Sequence, residues 1–348
     1  MQRAALPPSD RSSTDRFSMP APASAFTRRR FATLLSGVAA MSPFVVRAQD
    51  AGRPLRIIVP WPAGGGVDTF ARVIQAPLSA QLGQTILIDN IGGGSGRVGT
   101  QTASRAQPDG NTVLLANDTL AATEALPIPG TASVRSAFTP VTLAASAPQG
   151  VFTHPRSGLK TLADYVAAAK ARPGALNVGI PGIASSQHLT SELLLRAAGN
   201  ATVAHVPYRG GGPLIQDLIA GNIDAGVVTF AAAAQQAAAG QLIALGVTTA
   251  ARAVAFPTVP TAAETVAPGF VQTTWMGVLA PKGTPDTTRA RFHTALLAVL
   301  KDPAVINRLQ TLGFDAVGLD GPDFAKLFEQ TITTFAGIAA ERGINAES

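Results

Sequence analysis

The sequence predicts an α/β protein of two lobes. Short runs of branched apolar residues alternate with helical stretches, and glycine-rich turns join many of them. Two such sets occur, and the chain leaves the first set and returns to it near its end. Strands and helices alternating over short connections imply a parallel sheet with helices on both faces. A chain that crosses between two sets and returns implies a double hinge and closure of one lobe on the other.

The first unit is the most explicit. Residues 56–60 read as a buried strand, and Trp61-Pro62-Ala63-Gly64-Gly65-Gly66 as a turn. Phe70, Val73, Ile74, Leu78 and Leu82 then recur at helix spacing. Glycines let the backbone approach a ligand closely and take positive φ. The start of the helix offers unpaired N–H groups and a positive dipole end, suited to a carboxylate or phosphate. Asp68 falls where a capping residue would sit, so it reads equally as an N-cap and as a ligand contact.

A second strand over 85–90 leads into the glycine turn at 92–96, a turn at Pro108-Asp109-Gly110, and a third strand over 111–117. Residues 138–153 are a long β-rich stretch, broken by Pro140 and Pro148, that suits passage to the second lobe. There, helices over 161–170, 185–198 and 213–220 alternate with strands over 177–180, 203–207, 222–229 and 242–248. The alanine run 231–239 reads as a packed helix. A short helix over 259–266 precedes a strand over 274–280 that returns to the first lobe. Helices over 285–301, 303–312 and 321–342 follow, with Pro285, Pro303 and Pro322 suited to first helical turns. These boundaries place lobe 1 at 49–143 plus 250–348 and lobe 2 at 144–249.

A chain of 348 residues fills two ordinary domains, and 46% hydrophobic against 14% charged residues fits a globular protein. The absence of cysteine excludes disulfides, thiol catalysis and cysteine-ligated metals. The formal charge of +6 does not indicate nucleic acid, because residues 1–48 hold seven arginines and two aspartates, leaving about +1 elsewhere. Arg28-Arg29-Arg30-Phe31, a modestly apolar run and Val46-Arg47-Ala48 read as a secretory signal cleaved after Ala48. The arginine cluster resembles a twin-arginine signal, the general secretory route stays open, and Met19 is an alternative start. The expected location is the periplasm.

Enzymatic readings find little support. Gly94-Ser95-Gly96-Arg97-Val98-Gly99 is a literal G-x-G-x-x-G after a strand, with Asp118 about 20 residues beyond as a ribose-binding acid. An NAD(P)-binding oxidoreductase is therefore the alternative from another class, although the following helix is short and the motif follows the second strand. The four histidines (154, 188, 205 and 293) form no H-x-x-x-H or H-E-x-x-H pattern, and no G-x-S-x-G elbow occurs. In Ser185-Ser186-Gln187-His188, adjacent helix positions point apart, so His188 reads as a packing or locally hydrogen-bonded residue. Asp217 and Asp224 read as surface or capping groups. Ser185 and Ser186 open an apolar-striped helix, and either is a natural N-cap. No catalytic residue, metal or cofactor is expected.

The segments PWPAGGGVD, IDNIGGGSGRVG, SSQHL, HVPYRGGGP, GNIDAGVV, FPTVPTAAE and WMGVLAPKGTP occur in this order. With them the chain resembles the substrate-binding proteins of tripartite tricarboxylate transporters, the Bug family, over residues 53–344. The resemblance implies a type II periplasmic-binding-protein fold, each lobe a sheet flanked by helices, with the ligand cleft between lobes. It implies a non-enzymatic, monomeric receptor that hands a small organic carboxylate to membrane permease subunits. A ligand sensor feeding a signalling partner is a third reading. Two helix N-termini are then expected on opposite walls of the cleft. The implied ligand set is Pro62, Ala63, Gly64, Gly65, Gly66, Asp68, Gly94, Asn117, Ser185, Ser186, Tyr208 and Thr229. The chain departs from the family pattern at Ile91-Gly92, at Ile183-Ala184-Ser185 and at Val228, where relatives often carry aspartate. Valine there implies an apolar cleft wall and a ligand without an amino group, unless Val228 only packs beneath the loop.

Overall fold

The computed structural model describes residues 52–131 and 133–346, so the expectations about the leader lie outside the described residues. In chain order the first elements are β1 (Leu55–Val59), α1 (Gly66–Leu82), β2 (Ile86–Asn90), α2 (Arg97–Ser104), β3 (Thr112–Asn117), α3 (Thr119–Ala125), α4 (Val134–Ala137) and β4 (Phe138–Thr153). The second lobe adds α5 (Leu162–Ala171), β5 (Asn177–Ile180), α6 (Ser186–Ala197), β6 (Ala204–Pro207), α7 (Gly211–Ala220), β7 (Ala225–Thr229), α8 (Phe230–Ala238) and β8 (Ile243–Val247). The chain ends with α9 (Ala262–Thr265), β9 (Thr273–Pro281), α10 (Asp286–Leu300), α11 (Pro303–Thr311), β10 (Asp315–Asp320) and α12 (Gly321–Arg342). Among the described residues no helix is long and apolar enough to cross a membrane.

One strand belongs to both lobes. Residues 138–148 of β4 pair antiparallel with β9, while residues 149–153 pair antiparallel with β7. The sheet order is therefore continuous, β2-β1-β3-β9-β4-β7-β5-β6, with β8 and β10 also paired to β4. The expected parallel sheet is parallel only in part. Only the pairings within the trios β2-β1-β3 and β6-β5-β7 are parallel; the strands β7 and β8, and β9 and β10, are also joined through helices but pair antiparallel to β4 instead of to each other. The strands that carry the chain between lobes meet antiparallel and make each sheet mixed.

Each sheet is covered on both faces. In lobe 1, Phe70, Ile74 and Leu78 of α1 join Phe292 and Leu296 of α10 in one core, and Phe324, Phe335 and Ile338 of α12 pack on the other face. Lobe 2 repeats the arrangement with α5 on one side and α7 and α8 on the other. Local signals set the helix ends. Thr161 and Asp164 form a reciprocal capping box on α5, and Gly83 ends α1 in the left-handed region at φ 64°.

The sequence reading omitted α3, α4 and β10. Strand β10 (DAVGLD) mixes acids and glycine with small apolar residues and is mostly exposed, so it lacks the alternation that marks a half-buried strand. Pairing to β4 forms it nonetheless.

Gly277 of β9 is the tightest internal contact. A Cβ there would lie 2.1 Å from Phe324 Cζ, whose ring is fully buried and stacks edge-on against Trp275 at 5.1 Å. Gly277→Ala is expected to destabilise the chain by about 1–3 kcal/mol, as overpacking does. Urea unfolding measures it, and an unchanged midpoint would show that Phe324 has room to move.

Candidate ligand cleft

The β1–α1 turn delivers backbone donors. Gly64 takes φ +86°, a left-handed value that a side chain disfavours. Gly65 is the N-cap of α1 and supplies no side-chain cap. The first helical bond runs from Thr69 N–H to Gly65 O, so the amides of Gly66, Val67 and Asp68 precede it.

Asp68 is neither the N-cap nor an open anion. It lies in the first turn, and its Oδ2 accepts Gly64 N–H and Arg72 Nε, both at 2.9 Å. Burial pushes this carboxyl up, but the bonds from Arg72 and Gly64 outweigh burial and hold it below the usual carboxylate range. The aspartate braces the turn from behind.

A second glycine turn faces the first. Gly210, at φ +119°, is the N-cap of α7. A Cβ on Gly211 would lie 3.7 Å from Gly65 Cα, and one on Gly212 would lie 2.8 Å from Ala63 O. A Cβ on Gly210 would meet Pro62 Cδ at 2.8 Å, and one on Gly66 would meet Thr229 Cβ at 2.6 Å. The lobes are thus closed, backbone against backbone. Away from the glycine turns, Ser95 Oγ donates to Ile183 O at 2.6 Å, and Ser186 N–H donates to Thr119 Oγ1 at 3.0 Å.

Between these contacts lies a small cavity of about 20 Å³, partly open to solvent. Lobe 1 lines it with Trp61, Gly65, Gly66, Val67 and Asn117; lobe 2 adds Pro181, Gln187, Gly211, Thr229 and Ala232. None of these side chains is ionisable. The first turns of α1, α7 and α8 converge on it, and no side chain caps any of the three. Aligned peptide dipoles therefore supply positive potential without a cation. Trp61 Nε1 donates to Asn117 Oδ1 at 3.3 Å, and Gln187 Nε2 donates to Thr229 Oγ1 at 3.3 Å. A larger hollow of about 80 Å³ beside Arg97 lies on another face of lobe 1, where Arg97 bonds the carbonyls of Thr123 and Leu126.

The structure brings Gly65, Gly66, Asn117 and Thr229 of the expected set into the cavity wall. Pro62, Ala63 and Gly64 complete the turn against Gly210 and Gly212. The others lie elsewhere. Ser185 is wholly buried as the N-cap of α6, its Oγ accepting His188 N–H at 3.2 Å. Ser186 is buried behind the cavity, bonded to Thr119. Tyr208 donates to Asp217 Oδ2 at 2.8 Å, and burial with that carboxylate pushes its phenol up to about 12. Val228 packs in the lobe 2 core with Phe152 and Leu214, so it forms no cleft wall. Gln187 and Gly211 went unread in the sequence. Gly211 had a visible signal, since Gly210-Gly211-Gly212 opens a helix just as Gly64-Gly65-Gly66 does.

The Gly94–Gly99 motif is a structural turn. Gly94 and Gly96 take φ +54° and +87°, and a Cβ on Gly99 would strike Ile91 O at 2.4 Å. Asp118, the acid a dinucleotide reading needs, is fully buried and bonded to Thr274. The structure does gather His188, Glu192 and His205 within 4.8 Å, a trio from two elements that a linear pattern misses. His188 Nδ1 accepts Ala184 N–H at 3.1 Å, so its Nε2 carries the proton and offers no lone pair to a metal. Glu192 is paired with Arg342 at 3.2 Å, and His205 Nε2 bonds Ser191 Oγ at 2.9 Å. Burial lowers His188 to about 4 and, with its neighbour His188, lowers His205 to about 3, so both rings are neutral.

Gly66→Ala inserts a methyl where Thr229 already stands, so this variant is expected to stay open and to lose at least about tenfold in affinity, or 1.4 kcal/mol. Small-angle scattering checks it. Equal contraction of wild type and variant on ligand addition would show that the two turns do not meet.

The profile of the tripartite tricarboxylate transporter family receptors matches residues 70–344. The chain is 32% identical over 294 residues to the protein BugT of Bordetella pertussis, covering 84% of this chain and 90% of BugT. Among solved structures, R. palustris Rpa4515 with adipate superposes with a TM-score of 0.80 at 29% identity, over 84% of this chain and 98% of that one. MatC from Rhodopseudomonas palustris, with bound malate, gives a TM-score of 0.76 at 29% identity, over 82% and 99%. These receptors are solute-binding proteins of the two-lobed periplasmic type, not enzymes, and this chain belongs to the tripartite tricarboxylate transporter receptor family.

Proposed function

We propose that this chain captures a small, non-amino organic carboxylate in the periplasm and hands it, as a monomer, to the membrane subunits of its transporter. The observation that carries the reading is the uncharged cavity on which three uncapped helix N-termini converge. A carboxylate accepts hydrogen bonds from such amides and is stabilised by the dipoles behind them. Gly66 and Val67 on one wall, with Gly211 and Thr229 on the other, are the proposed contacts, and Asn117 and Gln187 orient the remaining polar groups. Adipate in one relative and malate in another support the ligand class. The lobes, expected at residues 49–143 plus 250–348 and at 144–249, are taken to move about β4, which changes partner at residue 149, and about the entry to β9 at Thr273, so that Val259 and Ala262 stay with the lobe 2 core.

The same cavity argues against an ammonium group. No carboxylate lines it, and Asp68 is already committed to Arg72. A buried ammonium would be left unpaired, a penalty of several kcal/mol.

Thermal shift of the purified chain against malate, succinate, adipate, benzoate and NAD(P) tests the ligand class. A bound acid at 100-fold over its dissociation constant adds about 2.7 kcal/mol of stability. Stabilisation by NAD(P) and by no acid would overturn the proposal. Calorimetry with the matched pair succinate and aspartate tests the charge argument. Succinate is expected to bind at least about tenfold tighter, or 1.4 kcal/mol, and a preference for aspartate would refute it.

A further inference from the structure

Asp118 is a buried ionisable group that neither the fold nor the cavity explains. Its side chain is wholly buried at the end of β3, directly before Thr119. Oδ1 accepts a 2.5 Å hydrogen bond from Thr274 Oγ1, on the strand that re-enters lobe 1. Oδ2 has no donor. The Ser186 hydroxyl of lobe 2 stands beside this carboxyl. That hydroxyl gives its own proton to Gln187 Oε1 at 3.2 Å and accepts from Thr119 Oγ1 at 3.1 Å. One lone pair of Ser186 Oγ is left over next to a carboxyl oxygen that lacks a proton. The chain of bonds continues through Gln187 Nε2 to Thr229 Oγ1, and both of these residues line the cavity.

Among the described residues no charged side chain compensates an ionised Asp118. β3 and β9 contain no ionisable residue. On α6 the first such residue is His188, which is neutral and tied to Ala184. Glu124 of α3 is held by Ser133, Val134 N–H and Arg135, and Glu329 of α12 is paired with Arg135. Arg97 is turned to the carbonyls at the end of α3. Burial therefore lifts the carboxyl to about 7, against a smaller opposing effect of the hydrogen bond from Thr274.

We propose that the cleft closes on its acid together with one proton, held on Asp118 Oδ2 and donated to Ser186 Oγ of the facing lobe. The neutral acid completes the network, using both leftover positions at once. The proposal rests on the carboxylate reading of the cleft. When the lobes part, Ser186 withdraws, water reaches Asp118, and its pKa returns toward the ordinary carboxylate value. The closed form is then the one that binds the extra proton. That contribution to closure is complete below the open-form value and is lost as pH rises through about 7.

Calorimetric titration with malate, succinate and adipate tests this, each run in two buffers of different ionisation enthalpy. The wild type is expected to take up about one proton on binding near pH 6, and to bind about tenfold more weakly near pH 8. Asp118→Asn keeps a donor for Ser186 and an acceptor for Thr274. It should take up no proton beyond the ligand's own titration, which both chains share. Thr274→Val removes a bond that favours the anion, so its proton uptake should persist to higher pH. These two variants respond in opposite directions, which a merely structural role would not produce. Equal heats in both buffers for the wild type near pH 6, or undiminished uptake in Asp118→Asn, would overturn the proposal while leaving the receptor reading intact. If none of the three acids binds, the carboxylate reading falls, and this proposal falls with it.

Discussion

In the proposed function, recognition depends on backbone amides that folding leaves without a side-chain cap. The first turns of α1, α7 and α8 have no side-chain cap, and they meet at one cavity. In an ordinary helix such amides are satisfied by Ser, Thr or Asp at the N-cap. Here glycine holds that position in α1 and α7, and the Thr229 hydroxyl in α8 accepts from Gln187 instead. Glycine is also what closure requires. With Gly211 and Gly65 packed backbone to backbone, side chains on these turns would prop the lobes apart. The same residues therefore leave the donors open and let the walls meet.

The closed arrangement draws on more than the glycine turns. Leu189 and Leu193 of α6, a lobe 2 helix, are buried in the lobe 1 core with Phe335 and Ile338. Arg342 reaches Glu192 across the same contact, and Arg196 is paired with Glu341. The exposed pair contributes little, because solvent screens it. Apolar burial is the larger effect, about 1.5–3 kcal/mol for a leucine side chain. The polar cross-links from Ser95 to Ile183 and from Ser186 to Thr119 add about 1 kcal/mol each and fix the register of the walls.

Much of this architecture was legible because the period of apolar residues marks elements directly. β4 and α12 occupy the residues expected, and the two crossings between lobes were visible as a long strand and a late returning one. The relative direction of those strands was not, since strand polarity depends on partners far away in sequence. Site residues were harder for a specific reason. A serine that caps a helix and a serine that touches a ligand carry the same local signature, so Ser185 and Ser186 were read as both. The structure spends Ser185 on its own helix and Ser186 on Thr119. Gln187 points to the cavity only because β7 ends beside it, which no local pattern encodes. Val228 shows the converse: a residue notable in sequence faces the core because of the strand's alternation.

The placement of charge suits a receptor that must release what it captures. Asp68 and Arg72 sit behind the turn and cancel each other, leaving the cavity wall without ionised side chains. An arginine in that wall would hold a carboxylate through a charge-assisted, bidentate pair, with each bond worth about 1.5–3 kcal/mol. Each helix terminus contributes less, about 0.3–1 kcal/mol when exposed and up to about 2 when partly buried. Three such termini bind an acid well only while the cleft is closed and dry. Once the lobes part, water screens the dipoles and competes for the amides, and the attraction collapses with the geometry. Affinity in this design is a property of closure rather than of any one side chain. A partner that opens the lobes therefore discharges the ligand without having to break an ion pair.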